Sequence, residues 1–214
     1  MPAMEHTEAI ERLTFKTLID VGANKGQFSL LVRYLFPDVE IHAFEPLETE
    51  RKLYQLVVAE PVKLYSTALG AAAGQATFFI TSQRDSSSLL KPGTAQKTAY
   101  GVAHLSSITV PVARLSHVVD ISAMPRPILL KLDVQGGELD VLNGAEEILP
   151  FVDIIYCEAS FVQLYDGQPL AHEIASHLML GGFTLRGVFN QSITKEFGPT
   201  QADFLFVNAG QHGL

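Results

Sequence analysis

The sequence predicts an α/β domain built on an open, mostly parallel sheet with helices on both faces. Three observations lead there. Apolar runs of strand length alternate with stretches of helical period along nearly the whole chain. One of those runs, PILLKLDV (127–134), is apolar almost throughout, which suits a strand buried on both faces. The first strand ends in LIDVGANKGQF (18–28), an acid and two glycines set before a helix.

Taken in order, KTLIDV (16–21) reads as a strand and GQFSLLVRYLF (26–36) as a helix. Phe28, Leu31, Leu35 and Phe36 recur at helical spacing, and Pro37 stops the run. VEIHAF (39–44) is the second strand and LETERKLYQLVVAE (47–60) the second helix; after Pro61 comes a third strand, VKLYSTAL (62–69). QATFFITS (75–82) and SSITVPVARL (106–115) alternate like the arms of an inserted antiparallel hairpin. The polar, Gly/Ser-rich stretch 82–105 between them reads as a loop or lid. After 127–134 follow a helix over 137–149, a strand over 152–159, a helix over 169–182 and two strands at about 183–189 and 202–208. No repeat or linker divides the chain, so a single domain over 1–214 is expected, with a short N-terminal segment, 1–15.

Composition narrows the class. Of 214 residues 47% are apolar and 18% charged, the balance of a globular core. A net charge of −8 argues against a broad phosphate-binding surface and hence against nucleic acid as a partner. No apolar run approaches the ~20 residues of a membrane span, and the acidic N-terminus lacks the apolar stretch of a signal peptide. Cys157 is the only cysteine, which excludes an internal disulfide and a thiolate zinc cluster and makes a reducing cytoplasm the expected compartment. Its apolar strand marks it as core. The seven histidines show no metal-type spacing; His172 and His177 read as peripheral.

In an open parallel sheet, ligands gather at the carboxyl ends of the strands. Those ends carry Asp20, Glu45, Ala68, Asp133 and Glu158. In the first turn Gly22 permits a tight bend and close approach of a ligand. Asn24 tolerates a left-handed conformation, and Gly26 lets the helix start close to the sheet. Glu45 ends the second strand, where a carboxylate accepts hydrogen bonds from both hydroxyls of a ribose. NAD and S-adenosylmethionine both present a ribose. NAD needs its pyrophosphate against a glycine-rich helix N-terminus, and this turn lacks that fingerprint and adds the charge of Asp20. S-adenosylmethionine is cationic at its methionyl end, so acids there are favourable. The methyl donor is the better match, with an NAD-dependent oxidoreductase or a non-catalytic cofactor-binding scaffold as rivals.

At this point the chain resembles the FkbM family of S-adenosylmethionine-dependent methyltransferases. The matching blocks are IDVGANKGQFS (19–29), AFEP (43–46), ALGAAAGQATF (68–78), DSSSLL (85–90), LLKLDVQGGELDVLNGA (129–145) and CEASF (157–161). The resemblance implies a class I methyltransferase (Rossmann-like) fold: a three-layer sandwich on a seven-stranded sheet with an antiparallel last strand. It also implies methyl transfer, most often to a hydroxyl of a sugar or secondary metabolite. It adds Pro46, Ala68 and Leu69 to a cofactor set of Asp20, Gly22, Asn24, Gly26, Glu45 and Asp133. Gln135 stands where relatives usually carry an acid. The N-terminal segment is shorter than in many relatives, so enclosure of the acceptor is expected from the 82–105 loop or from a second subunit.

Lys131 and Asp133 lie two apart on one strand and share a face. Between cofactor and acceptor they are the candidate catalytic pair, Asp133 either binding the cofactor's ammonium or taking the acceptor's proton. The alternative is a structural ion pair with a helix cap. Ser86, Ser87, Ser88 and Glu158 are candidate acceptor contacts. Asp133 and Glu158 on neighbouring strand ends are also an arrangement that could hold an oxygen-liking cation, but no third ligand is fixed, and no metal is expected.

Overall fold

A computed structural model of the protein describes residues 1–210; the last four residues of the domain expected over 1–214 lie outside the described residues. Ten strands and seven helices follow one another. The first are α1 (Thr7–Ile10), β1 (Thr17–Val21), α2 (Gln27–Leu35), β2 (Glu40–Phe44), α3 (Glu48–Val57) and β3 (Val62–Tyr65). β4 (Ala68–Leu69), β5 (Gly74–Thr81), α4 (Thr94–Tyr100), β6 (His104–Ala113) and α5 (Leu115–Val118) form the middle. β7 (Ile128–Leu132), α6 (Glu138–Ala145), β8 (Ile154–Ser160), α7 (Ala171–Leu180), β9 (Phe183–Thr194) and β10 (Gly198–Asn208) complete the chain.

Seven strands pair in the order β3-β2-β1-β7-β8-β10-β9. The first five are parallel, and β10 runs antiparallel to both of its neighbours. Two apolar layers cover the sheet. Ile19, Val21, Leu130, Leu132, Ile155 and Cys157 point to the side where Val141, Leu142 and Ala145 of α6 and Ile174 and Leu178 of α7 pack. Leu18, Ile41, Leu129, Ile154 and Tyr156 point to the other, against Ile10 of α1, Phe28, Leu31 and Val32 of α2 and Tyr54 of α3. The period-two alternation of each strand feeds both layers, which is why the central strands read as apolar throughout.

Three expectations change. The strand expected over 62–69 is two: β3 closes the edge of the main sheet, and β4 leaves it to pair in parallel with β6. The bend is fixed by Thr67, whose hydroxyl donates to the Pro111 carbonyl at 3.0 Å. The hairpin is therefore part of a three-stranded sheet, β4-β6-β5. Next, 82–105 is a packed wall rather than an open loop. It carries α4, Ser88 bridges back to Phe79, and Pro92 bridges to Tyr165. Buried Gln96 donates to the Tyr165 hydroxyl, which in turn donates to the Ser86 carbonyl at 2.9 Å. Last, the two final strands are longer than their apolar cores, because β9 is an edge strand whose residues are mostly exposed.

Candidate active site

The turn after β1 is shaped by what touches it. Gly22 has φ +78, and a Cβ there would lie 1.8 Å from the Asp133 carbonyl oxygen, so only glycine allows β1 and β7 to approach this closely. Asn24 takes the left-handed conformation expected for it, at φ 48. At Gly26, φ +83, a Cβ would meet Val58 at 2.6 Å and Tyr54 at 2.9 Å, so its absence seats α2 against α3. The turn's backbone then serves Glu45. Its two carboxylate oxygens accept from the backbone N–H of Asn24 at 3.0 Å and of Leu47 at 2.7 Å. The side chain is 5% exposed. Burial pushes its pKa up to about 7 in spite of those two donors.

Glu45 faces a cleft of about 330 Å³ at the carboxyl ends of β1, β2 and β7. Gly22, Asn24, Pro46, Leu47, Ala68, Leu69 and Phe78 form the wall around it, and Lys131, Asp133 and Gln135 the far end. A glycine-floored turn, a ribose-ready carboxylate and an apolar slot made of Leu47, Leu69 and Phe78 fit an adenosyl cofactor.

Asp20 departs from its expected place. It is 0% exposed and lies beneath the cleft: Ser29 donates to Oδ2 at 2.7 Å, and Lys131 pairs with Oδ1 at 3.1 Å. The reason is register. Asp20 pairs with Lys131 across β1 and β7, and Lys131 with Tyr156 across β7 and β8, so the three form a polar row on the face that α2 covers. Lys131 also pairs with Asp133 at 3.5 Å and donates to the Gly22 carbonyl at 3.1 Å. Burial alone would push the Lys131 pKa down, but Asp20 and Asp133 outweigh it and hold the ammonium charged. Lys131 is thus a fixed cation joining the floor to the cleft, without the lone pair of a base.

Glu158 lies inside β8, not at its end, and Gln135 forms the cleft wall in front of it. The Gln135 amide donates to Asp133 at 2.8 Å and to Glu158 at 2.7 Å, and its oxygen accepts from Tyr165 at 2.9 Å. Burial and the charge of Asp133 push the Glu158 pKa well up. The expected serine contacts are likewise mostly spent. The Ser88 hydroxyl donates toward the Val134 and Gln135 carbonyls, and the Ser87 hydroxyl accepts from the Thr81 N–H at 3.2 Å. Of the three serines only Ser87 reaches the cleft wall.

Two further groups escape any reading of the sequence. Glu138, at the start of α6, accepts from the N–H of Val134 and Gly136 and so fixes the turn that carries Gln135; its burial raises its pKa to about 7. The N-terminal segment closes one side of the cleft with Pro2, Ala3, Glu5 and His6, where cover was expected only from 82–105 or a second subunit. His6 is held through Nδ1, which lies 3.0 Å from the Tyr156 hydroxyl, 3.0 Å from the Asn190 amide and 3.2 Å from Asp203 Oδ2. Tyr156 and Asn190 both donate to the same Asp203 oxygen, at 3.0 and 2.8 Å. Burial alone would raise the Asp203 pKa, but hydrogen bonds from His6, Asn190 and Tyr156 together bring it below the ordinary value. His6 and Tyr156 are 150 residues apart, beyond any spacing rule.

Counted in chain order, the large sheet runs 3-2-1-4-5-7-6 with only its last strand reversed, and its cleft opens at the switch beside the first strand. That defines a class I methyltransferase fold. The plantazolicin methyltransferase BpumL, solved with SAH, shares it with a TM-score of 0.53 over 96% of this chain and 80% of that one; at 10% identity the likeness is one of fold. The chain belongs to the FkbM methyltransferase family, whose profile, described as the Methyltransferase FkbM domain, it matches over residues 20–185. Among curated relatives, Methyltransferase 1 of Beauveria bassiana (strain ARSEF 2860) is 28% identical over 145 residues, 61% of this chain and 58% of that protein. The 2-O-methyltransferase NoeI of Sinorhizobium fredii (strain NBRC 101917 / NGR234) is 26% identical over 160 residues, 71% of this chain and 66% of that protein. The chain therefore spans 58–66% of the length of these two relatives.

Proposed function

We propose that the protein transfers the methyl group of S-adenosylmethionine to a hydroxyl oxygen of a small, uncharged acceptor such as a sugar or a hydroxylated secondary metabolite. Family membership makes S-adenosylmethionine the methyl donor. The observation that carries the site assignment is the Glu45 carboxylate, aimed into the cleft and oriented by two backbone donors. The 2-O-methyltransferase relative supports oxygen as the acceptor atom.

The bound cofactor supplies an electrophilic methyl on a sulfonium. This chain's residues do the rest. Glu45 receives the ribose hydroxyls, and Leu47, Leu69 and Phe78 shelter the base. Asp133, held by Lys131 and Gln135, presents negative charge toward the methionyl ammonium. The N-terminal segment and the wall at Ser87, Leu89 and Leu90 exclude water and align the acceptor. Acids at the cleft (Glu5, Asp85, Asp133 and Asp140) disfavour phosphorylated or carboxylated acceptors.

The test is methyl transfer from S-adenosyl-[methyl-³H]methionine to a panel of neutral hexoses, deoxyhexoses, methyl glycosides and phenols. Alkali-stable ether label in at least one acceptor is expected. Label only in amines or thiols, or none in any acceptor, contradicts the proposal.

A further inference from the structure

The polar row that holds Lys131 continues across the sheet to a second cluster, which has no part in holding the cofactor. Tyr156 on β8, Asp203 on β10 and Asn190 on β9 converge on Nδ1 of His6, and the imidazole packs edge-on against Phe28 and Tyr156 with centroids 5.4 and 5.6 Å away. A histidine that served only to strap the N-terminus down would need no buried carboxylate behind it. This one has the buried Asp203 carboxylate at Nδ1 and lines the cleft.

We infer that His6 is the general base of the methyl transfer and that Asp203 is its positioning partner. The inference rests on the O-methyl transfer proposed above. The role requires the tautomer with its proton on Nδ1. In it the Tyr156 proton and one Asn190 amide proton go to Asp203, the other Asn190 proton goes to the Tyr156 hydroxyl at 3.2 Å, and Nδ1–H points to the carboxylate at 3.2 Å. The lone pair then sits on Nε2, 3.8 Å from the exposed Glu5 carboxylate, on a residue that lines the cleft. Neither of the two catalytic candidates read from the sequence is free for this task. Lys131 is a locked cation, and Asp133 has one oxygen accepting from Gln135 and the other paired with Lys131.

In the step, the acceptor oxygen forms its bond to the methyl carbon as the carbon–sulfur bond breaks. The bonding pair goes to sulfur, leaving a neutral thioether. The hydroxyl proton passes to Nε2, and the imidazolium so formed is stabilised by Asp203 through Nδ1–H.

The test compares His6→Asn, His6→Gly and Asp203→Asn with the wild type, using the acceptor panel above and calorimetric binding of S-adenosylhomocysteine. Asparagine at position 6 keeps a donor for Asp203 and so keeps the strap, but has no counterpart of Nε2. Its kcat should fall about 10²–10⁴-fold, the range for loss of a general base, with S-adenosylhomocysteine affinity unchanged. Added imidazole should restore turnover to His6→Gly, which a lost strap would not permit. Asp203→Asn should lower kcat with no effect on cofactor affinity. A His6→Asn enzyme within about threefold of wild type, or a His6→Gly enzyme that imidazole does not rescue, overturns the assignment while leaving O-methyl transfer intact. A wild type silent on every acceptor overturns O-methyl transfer, and the role of His6 with it.

Discussion

At the residue scale the proposed cofactor contact turns on Glu45. Its pKa in the folded protein, about 7, lies above the ordinary 4.5, so folding binds a proton between those values. Glu45 therefore lowers stability progressively as pH rises through that window, and its effect is constant above it. Ribose hydroxyls donate to the ionised form, so cofactor binding expels the proton. Affinity for S-adenosylhomocysteine should climb with pH, by at most about tenfold per unit, and level off above pH 7 or so; calorimetry from pH 5.5 to 8.5 measures it. Glu45→Gln should flatten that profile and weaken binding by about 1.5–3 kcal/mol, the scale of hydrogen bonds to a charged group. Glu45→Ala would also orphan the Asn24 and Leu47 N–H groups, at about 1–3 kcal/mol each, so the conservative variant is the informative one. Gln135 makes a second residue-scale prediction. Its amide nitrogen donates to both Asp133 and Glu158, in the position a cation bridging them would take. EDTA should leave turnover unchanged, and restoration by Mg²⁺ after chelation would contradict this reading. Glu45 and the glycine turn could be placed from the sequence because strand ends and positive φ set where they stand. Asp20 was misplaced because a strand-end acid looks the same whether it faces the cleft or, as here, a lysine one strand away.

At the scale of elements, the strands with two buried faces were readable from their apolar runs, and the edges were not. β9 alternates weakly because most of it is exposed, and β4 is too short to signal its departure from β3. The 82–105 segment was read as a lid because serine and glycine report loop chemistry; its order comes from partners at Phe79, Val134 and Tyr165, distant in sequence. Limited proteolysis of the ligand-free protein should therefore spare 86–92, and rapid cleavage there would contradict the packed wall. The polar row joining β1, β7 and β8 gives a stability prediction. Asp20→Asn leaves buried Lys131 with only Asp133 as a charged partner and should destabilise the protein by about 3 kcal/mol, read as a lower urea midpoint at unchanged m-value.

For the molecule as a whole, the two apolar layers make a rigid platform, and everything that touches a ligand stands at one end of it. That end was predictable from the alternation of strands and helices alone. The cover was not, since it is assembled from the N-terminal segment, 84–90 and the turn after β7. Pro2, Ala3 and His6 of the N-terminal segment line the cleft themselves, which weighs against the open, non-catalytic scaffold. Removing residues 1–6 should keep the fold, because the sheet and its helices remain, and should cost at least about 10²-fold in kcat through lost alignment. Among the described residues no helix is long and apolar enough to cross a membrane. A crystal structure with S-adenosylhomocysteine decides whether this cleft holds S-adenosylmethionine with Glu45 on its ribose. Both ribose hydroxyls are expected on the Glu45 carboxylate, the adenine between Leu47, Leu69 and Phe78, and the methionyl end against Gly22 and Asp133. A ligand bound elsewhere, or one whose ribose is turned away from Glu45, would contradict that placement.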